Sequence, residues 1–280
     1  MTLLILAVLK EELHRAFCNW RLIVALLAGI LIVGLHIITC VIPEASNQEL
    51  YLTTTGYPLS VHNRWIGGWG GSIFPMLFFS LLPLIVCIPF SDSLYMDCRS
   101  GYVAQVVSRA SRLSYIGAKY FASFAIGIVA SLAPLLFDFY LTALWLPLTA
   151  PDSSAGVYPI FAYSLFSDLF YDNIVQYYAI YAAVIGVTSG LLACFPLALG
   201  FVWPNRGLVT CSSFMICLIL YFIFGSGDSA WLVPAIFMRP DQPVWGYSFA
   251  QILCFLGGLS LMEGVMLVIE GRRLGLKASE

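Results

Sequence analysis

The sequence predicts an all-α integral membrane protein with six transmembrane helices, and three observations carry that prediction. Of 280 residues, 60% are hydrophobic and 10% charged, where soluble domains carry about 25% charged residues. Mean hydropathy is +0.90. The apolar residues gather into runs at 21–42, 72–91, 114–147, 176–202, 208–225 and 247–269. Each is close to the roughly 20 residues that a helix needs to cross about 30 Å of hydrocarbon. The third is overlong, which implies a tilted or protruding helix. No internal repeat, low-complexity tract or linker interrupts the chain, so residues 1–280 read as a single transmembrane domain.

Residues 1–20 precede the first run and predict an interfacial helix. Leu6, Leu9, Leu13, Phe17 and Trp20 recur at spacings of three and four, with Lys10, Glu11, His14 and Arg15 on much of the remainder. Such a pattern lies in a membrane surface. "LLILAVL" has the apolar character of a signal peptide, but no cation precedes it, "KEELHR" follows, and no small-residue cleavage site appears. The expectation is a retained segment.

The second run carries Pro75, Pro83 and Pro89, the third Pro134 and the fourth Pro196. Each removes a backbone donor and favours a kink. Gly186 and Gly190 form a G-x-x-x-G pair that permits close helix approach.

One set of loops is elaborate. Residues 43–71 are polar, with Trp65 and Trp69 placed for the headgroup region; 152–173 read as an aromatic interfacial helix. The segment 226–246 is too short and too proline-rich to span twice. It suits a dip into the outer leaflet, with its backbone covered by protein.

Cations orient the spans. Six spans put both termini on one side, together with the loops near 92–113 and 203–207. That side holds eleven cations: Lys10, Arg15, Arg21, Arg99, Arg109, Arg112, Lys119, Arg206, Arg272, Arg273 and Lys277. The other holds two, Arg64 and Arg239. The positive-inside rule makes the cation-rich side cytoplasmic, in a multi-pass cell-membrane protein.

Catalytic signatures are missing. A phosphate-binding loop needs G-x-x-x-x-G-K-[ST], yet Lys10, Lys119 and Lys277 precede Glu, Tyr and Ala. His14, His36 and His62 are too scattered for H-E-x-x-H, and "GYSFA" lacks the second glycine of G-x-S-x-G. "EELHR" is one residue short of the E-E-x-x-x-R of intramembrane proteases. Eight cysteines show no C-x-x-C and fall mostly in apolar runs, as small buried hydrophobes do. The expectation is a non-enzyme with no catalytic residue, metal or cofactor of its own and no nucleic-acid partner.

Asp138 and Glu263 are the candidate intramembrane polar residues. The first is expected near the outer headgroups. The second is expected to pair with Arg272 or Arg206, unless it serves as a proton or substrate site. His36 is expected to be a hydrogen-bonded packing residue.

One stretch between the second and third spans remains, "DCRSGYVAQVVSRASRLSYIGAK" from Asp97 to Lys119. As a helix it sets Tyr102, Val103, Val106, Val107 and Ala110 on one apolar face, opposite Gln105, Ser108 and Arg112. That face requires a cover: anionic membrane lipid, which suits the cations, or the groove of another protein.

This stretch resembles the loop between the second and third spans of type-2 ABC transporter permeases, the membrane-spanning subunits of ABC exporters. The family pattern appears as Asp97, Arg99 and Gly101, then "VVS", Ser111-Arg112 and Ala118-Lys119, with 18 residues from glycine to lysine. Tyr102 replaces the family's threonine, and Arg109 stands near its proline. Residues 97–112 would then be a cytoplasmic coupling helix seated on a separate ATPase, with Asp97, Arg99, Gly101, Tyr102, Val106, Arg109 and Arg112 as the coupling residues.

The resemblance implies partner ABC ATPase subunits that hold the ATP and Mg. It also implies a second permease chain, identical or different, and an amphipathic, peptide or lipid-like cargo for export. The rival functions are an ATP-independent secondary transporter, an intramembrane enzyme, and an ATPase-linked sensor or immunity protein.

Overall fold

The structure, a computed structural model, describes residues 2–68, 71–108, 111–200 and 205–277, with side chains described over 6–68, 71–108, 111–200 and 205–269. It is all-α. The helices are α1 (Thr2–Phe17), α2 (Trp20–His36), α3 (Ile42–Ser46), α4 (Gln48–Thr55), α5 (Ile73–Cys87), α6 (Ser93–Ser100) and α7 (Tyr102–Val107). They continue as α8 (Arg112–Trp145), α9 (Ser167–Asp172), α10 (Ile174–Leu199), α11 (Arg206–Phe224), α12 (Pro234–Phe237) and α13 (Phe249–Lys277).

Five helices among the described residues are long and apolar enough to cross a membrane: Trp20–Ser46, Arg112–Trp145, Ile174–Leu199, Arg206–Phe224 and Phe249–Ile269. The protein is a multi-pass membrane protein. The expected second span departs from this pattern: α5 has 15 residues, about 22 Å at 1.5 Å per residue. Pro89 cannot donate to the carbonyl of Ile85, which helps to end the helical ladder there, and the chain passes through turns to α6. Instead of facing lipid, α5 is the central element, touched by α2, α8, α10, α11 and α12, with Phe78, Phe79, Leu82 and Val86 fully buried.

The first span is continuous through a π-turn, Ile37–Val41. Pro43 has no N–H for the carbonyl of Thr39, and the helix widens just before it, so that Ile42 N–H bonds Ile37 O. One face of α2 shows Ile23, Leu27 and Leu31 to the surroundings while Ala25, Gly29, Ile32 and Val33 are buried. An apolar surface of this kind is suited to hydrocarbon. The 34 residues of α8 extend about 51 Å. They exceed the hydrocarbon thickness because the helix carries buried polar groups toward both ends, Lys119 and Asp138.

Close approaches hold this bundle together. A Cβ on Gly127 would come 2.8 Å from the carbonyl oxygen of Ser189, so α8 and α10 meet backbone to backbone there. Gly29 receives the ring of Pro134, a side-chain contact that a Cβ would obstruct.

Two loop expectations change. Residues 57–68 fold inward, with Leu59, Val61, Trp65 and Ile66 buried. Trp65 lies edge-on to Phe139 and Tyr178, at 5.3 and 5.1 Å, rather than in a headgroup layer; Trp69 lies outside the described residues. The aromatic segment 152–173 forms only a short turn and the six-residue α9, over its own core of Tyr158, Phe170, Tyr177 and Tyr181. The segment 226–246 does turn back into the protein, with Val233, Phe237 and Met238 fully buried. Tyr177 OH donates to its Pro240 carbonyl, and the side-chain amide of Gln242 accepts from Leu165 N–H and donates to Leu165 O.

Candidate functional site

The expected coupling segment is two short helices, α6 and α7, joined at Gly101. That residue has φ +74°, a left-handed conformation that terminates one helix and redirects the chain. Ser111 caps the start of α8 by accepting from Ser114 N–H at 3.2 Å. Gly101 and Ser111 therefore form the two corners of an elbow between α5 and α8.

The elbow is fastened from inside by Asp97. Its carboxylate accepts four hydrogen bonds: from Arg15 at 2.7 and 3.0 Å, Lys119 Nζ at 2.7 Å and Tyr115 OH at 2.6 Å. Three converge on Oδ2 and one falls on Oδ1. Lys119 also donates to Glu12 at 2.9 Å, and Arg15 to Glu12 at 3.0 Å. Glu12, Asp97, Lys119 and Tyr115 are all buried. The two anions balance the two cations, as a low-dielectric site requires. Burial alone would raise the Asp97 carboxyl, but Arg15, Lys119 and Tyr115 outweigh it and hold the group below the ordinary carboxylate range.

The apolar face of α7 is covered by the chain itself. Val103 is buried, and Tyr102, Val106 and Val107 pack on a core of Leu94, Tyr115, Ile116 and Leu197. The Arg15 guanidinium lies 4.6 Å above the Tyr102 ring. What the elbow exposes is mixed: Arg99, Gly101, Gln105, Ser108 and Arg112, with Met96, Cys98, Ala104 and Leu113 among them. Of the sequence-predicted coupling residues, Asp97, Tyr102 and Val106 thus face inward, Arg99, Gly101 and Arg112 face outward, and Arg109 lies outside the described residues. The interfacial reading of α1 shifts as well. Leu6, Phe17 and Trp20 are exposed, while Glu12 and Ala16 are buried toward the bundle and the helix packs on α8.

A second carboxylate braces the same end. Asp92 pairs with Arg21 at 2.7 Å and with Arg206, tying together the starts of α2 and α11. Asn19 donates to Pro89 O at 2.9 Å beside it.

At the opposite end Asp138 is fully buried within the protein. It lies 2.8 Å from His36 Nδ1 and accepts the Ile66 N–H at 2.7 Å, so it joins α2, α8 and the inward loop. His36 is a hydrogen-bonded packing residue, as expected. Arg64 pairs with Glu44, and Arg239 with Asp241. Glu263 is buried on α13 without the Arg206 partner, which belongs to Asp92; the side chain of Arg272 lies outside the description. Among the described residues no group of His, Cys, Asp or Glu is placed to hold a metal.

No protein-family model, curated protein or solved structure matches this chain. The resemblance of the elbow therefore stands on the residues quoted for it. Reasoning from the sequence missed Glu12, Tyr115 and Lys119 as members of one cluster with Asp97. A usable signal was present in Lys119, a cation at the start of an apolar span, which must find an anion.

Proposed function

We propose that this chain is a membrane-spanning permease subunit of an ATP-driven exporter. In this reading the Asp97 end and both termini are cytoplasmic, and the elbow is the seat for a separate ABC ATPase that holds ATP and Mg. A second permease chain, identical or different, completes the pathway. The cargo is amphipathic, peptide or lipid-like, and the chain contributes no hydrolytic site.

One observation carries the reading. The elbow is bolted to α1 and α8 by buried charge-assisted hydrogen bonds through Asp97, while its outer surface exposes Arg99, Gln105 and Arg112 beside apolar Met96 and Leu113. A push on α6–α7 would be transmitted to α8 because those bonds leave it no independent motion. The exposed Arg99, Gln105 and Arg112 suit an acidic or polar cleft, as rim contacts of a reversible interface do.

The test is purification of the full chain from its native membrane, with assay of the recovered material for Mg-ATP hydrolysis. The expected result is co-elution of an ATPase whose turnover responds to Arg99→Glu combined with Gln105→Ala. A chain that elutes alone and moves substrate without nucleotide would overturn the proposal in favour of secondary transport.

A further inference from the structure

Along α13, Gly257, Ser260 and Gly264 recur at spacings of three and four, which places them on one helical stripe. A side chain is missing or minimal at each, and a Cβ built on Gly257 or Gly264 meets nothing within 4 Å. The space left over is a groove between α13 and the α8–α10 pair. It consists of cavities of about 600 Å³ and about 270 Å³ that share Phe124, Leu191 and Ser260. The larger is apolar, with Ile180, Val184 and Leu256 in its walls. At the far end of the smaller one lies Glu263.

Glu263 is 5% exposed, and its Oε1 is buried with no hydrogen-bond partner among the described residues. Positions one turn away on α13 hold Leu259, Ser260, Met266 and Leu267, none of them cationic. Arg272 is nine positions further on, about 14 Å of helical rise. The other walls supply Tyr120, Phe121 and Cys194. A carboxyl group in such surroundings is costly to bury and calls for a partner that the described residues do not supply. Exposed Phe121 and Leu253 at the groove's edge leave it open sideways to the membrane.

We infer that the α8–α10–α13 groove binds a single-chain amphipathic amine, with its alkyl tail along Gly257 and Leu256 and its ammonium on Glu263. Charge complementarity selects the occupant: a neutral amphiphile would fill the apolar length but offer the carboxyl only an uncharged hydrogen bond, and an anionic one would repel it. The site lies within one chain and does not depend on the coupling reading.

The test uses the purified full chain in zwitterionic nanodiscs, without ATPase or nucleotide, and follows thermal unfolding with added dodecylamine or dodecanol. Ligand bound to the native state raises Tm through linkage. Dodecylamine is expected to stabilise the wild type with at least tenfold higher apparent affinity than dodecanol, Glu263→Gln to abolish that preference, and Gly257→Leu to weaken binding of the amine at least tenfold. Gly257→Leu meets open space and replaces a helix-interior glycine with a better helix former, so it serves where Glu263→Gln fails to fold. Equal affinity for amine and alcohol, or amine binding that survives both variants unchanged, overturns the proposal. Absence of any shift does so too. Because no ATPase is present, none of these outcomes bears on coupling.

Discussion

Lys119 Nζ lies 2.7 Å from the carboxylate of Asp97, and the ammonium is wholly out of solvent. The contact joins the start of α8 to α6 across a glycine corner and a capping serine. Glu12 on the other side of the ammonium adds α1 to the joint. Three helices therefore share one charge-balanced, hydrogen-bonded cluster. Breaking it strands a charge, so the three move together or the cluster opens at a cost of several kcal/mol.

Asp97→Asn should destabilise the protein by about 3–5 kcal/mol, since it leaves a net positive charge buried. Adding Lys119→Met should recover about 0.5–3 kcal/mol, because the second change removes that uncompensated cation. Reversible denaturant titration of the purified wild type and the three variants measures the coupling. Additive losses from the two single variants would mean that the pair contributes nothing as a pair.

The same carboxylate makes stability depend on acid. Its folded pKa is held below the ordinary aspartate value, about 3.9, so the unfolded chain binds more protons in the interval between them. The stabilisation is fully present above that ordinary value and is lost as pH falls through the folded one. Thermal unfolding between pH 6 and pH 3 should show a fall in the wild type that Asp97→Asn lacks.

Backbone proximity predicts a contrast between two glycines. Gly127→Ala drives a methyl to 2.8 Å from the Ser189 carbonyl oxygen, where a backbone atom must yield. The expected loss is about 1–3 kcal/mol. Gly186→Ala places its Cβ at 3.5 Å from side-chain methyl groups, an ordinary contact, and should be neutral or slightly stabilising given the helix propensity of alanine. Parallel melting curves decide between them.

That contrast shows what the sequence conveyed and what it left out. Gly186 and Gly190 announce themselves by their four-residue spacing, whereas Gly127, which meets a backbone oxygen rather than a side chain, has no glycine four residues away and shows its role only against Ser189 of α10. Long apolar runs identify α2, α8, α10, α11 and α13, because hydropathy is a local property. The short α5 reads like the others, since its burial comes from five surrounding helices. At the site, Gly101 and Ser111 were legible as positions of the resemblance, while the corner and the cap that they form came from the structure. Glu12 was not: one carboxylate on an amphipathic helix looks like part of a solvated face until Lys119, 107 residues away, turns out to need it. The partners of Asp138, His36 and the Ile66 N–H, were hidden for the same reason, being distant in sequence.

Asp138→Leu should release the inward loop at the opposite end. It removes the acceptor of a buried N–H and the partner of His36, and each orphaned group costs about 1–3 kcal/mol. Asp138→Asn keeps an oxygen for Ile66 and should be milder. Protease nicking within residues 57–68, followed by mass spectrometry, should be fastest in the leucine variant and intermediate in the asparagine variant. Equal rates in all three proteins would mean that Asp138 does not hold the loop.

The elbow itself separates stability from coupling. Val103 is buried on its inner side while Gln105 is exposed, two positions along the same short helix. Val103→Ala should cost about 0.5–3 kcal/mol, as shortening a buried side chain does, whereas Gln105→Ala should stay within about 0.5 kcal/mol of the wild type. If a nucleotide-hydrolysing partner seats on the outer surface, the ordering reverses in the assembled complex: Gln105→Ala and Arg99→Glu lower transport-coupled ATP turnover severalfold, and Val103→Ala lowers it only by as much as folded protein is lost. Substitutions at Tyr102 or Val106 cannot make this distinction, because both side chains pack on the chain's own core. Turnover per folded molecule that falls for Val103→Ala and not for Gln105→Ala or Arg99→Glu would place the working surface elsewhere.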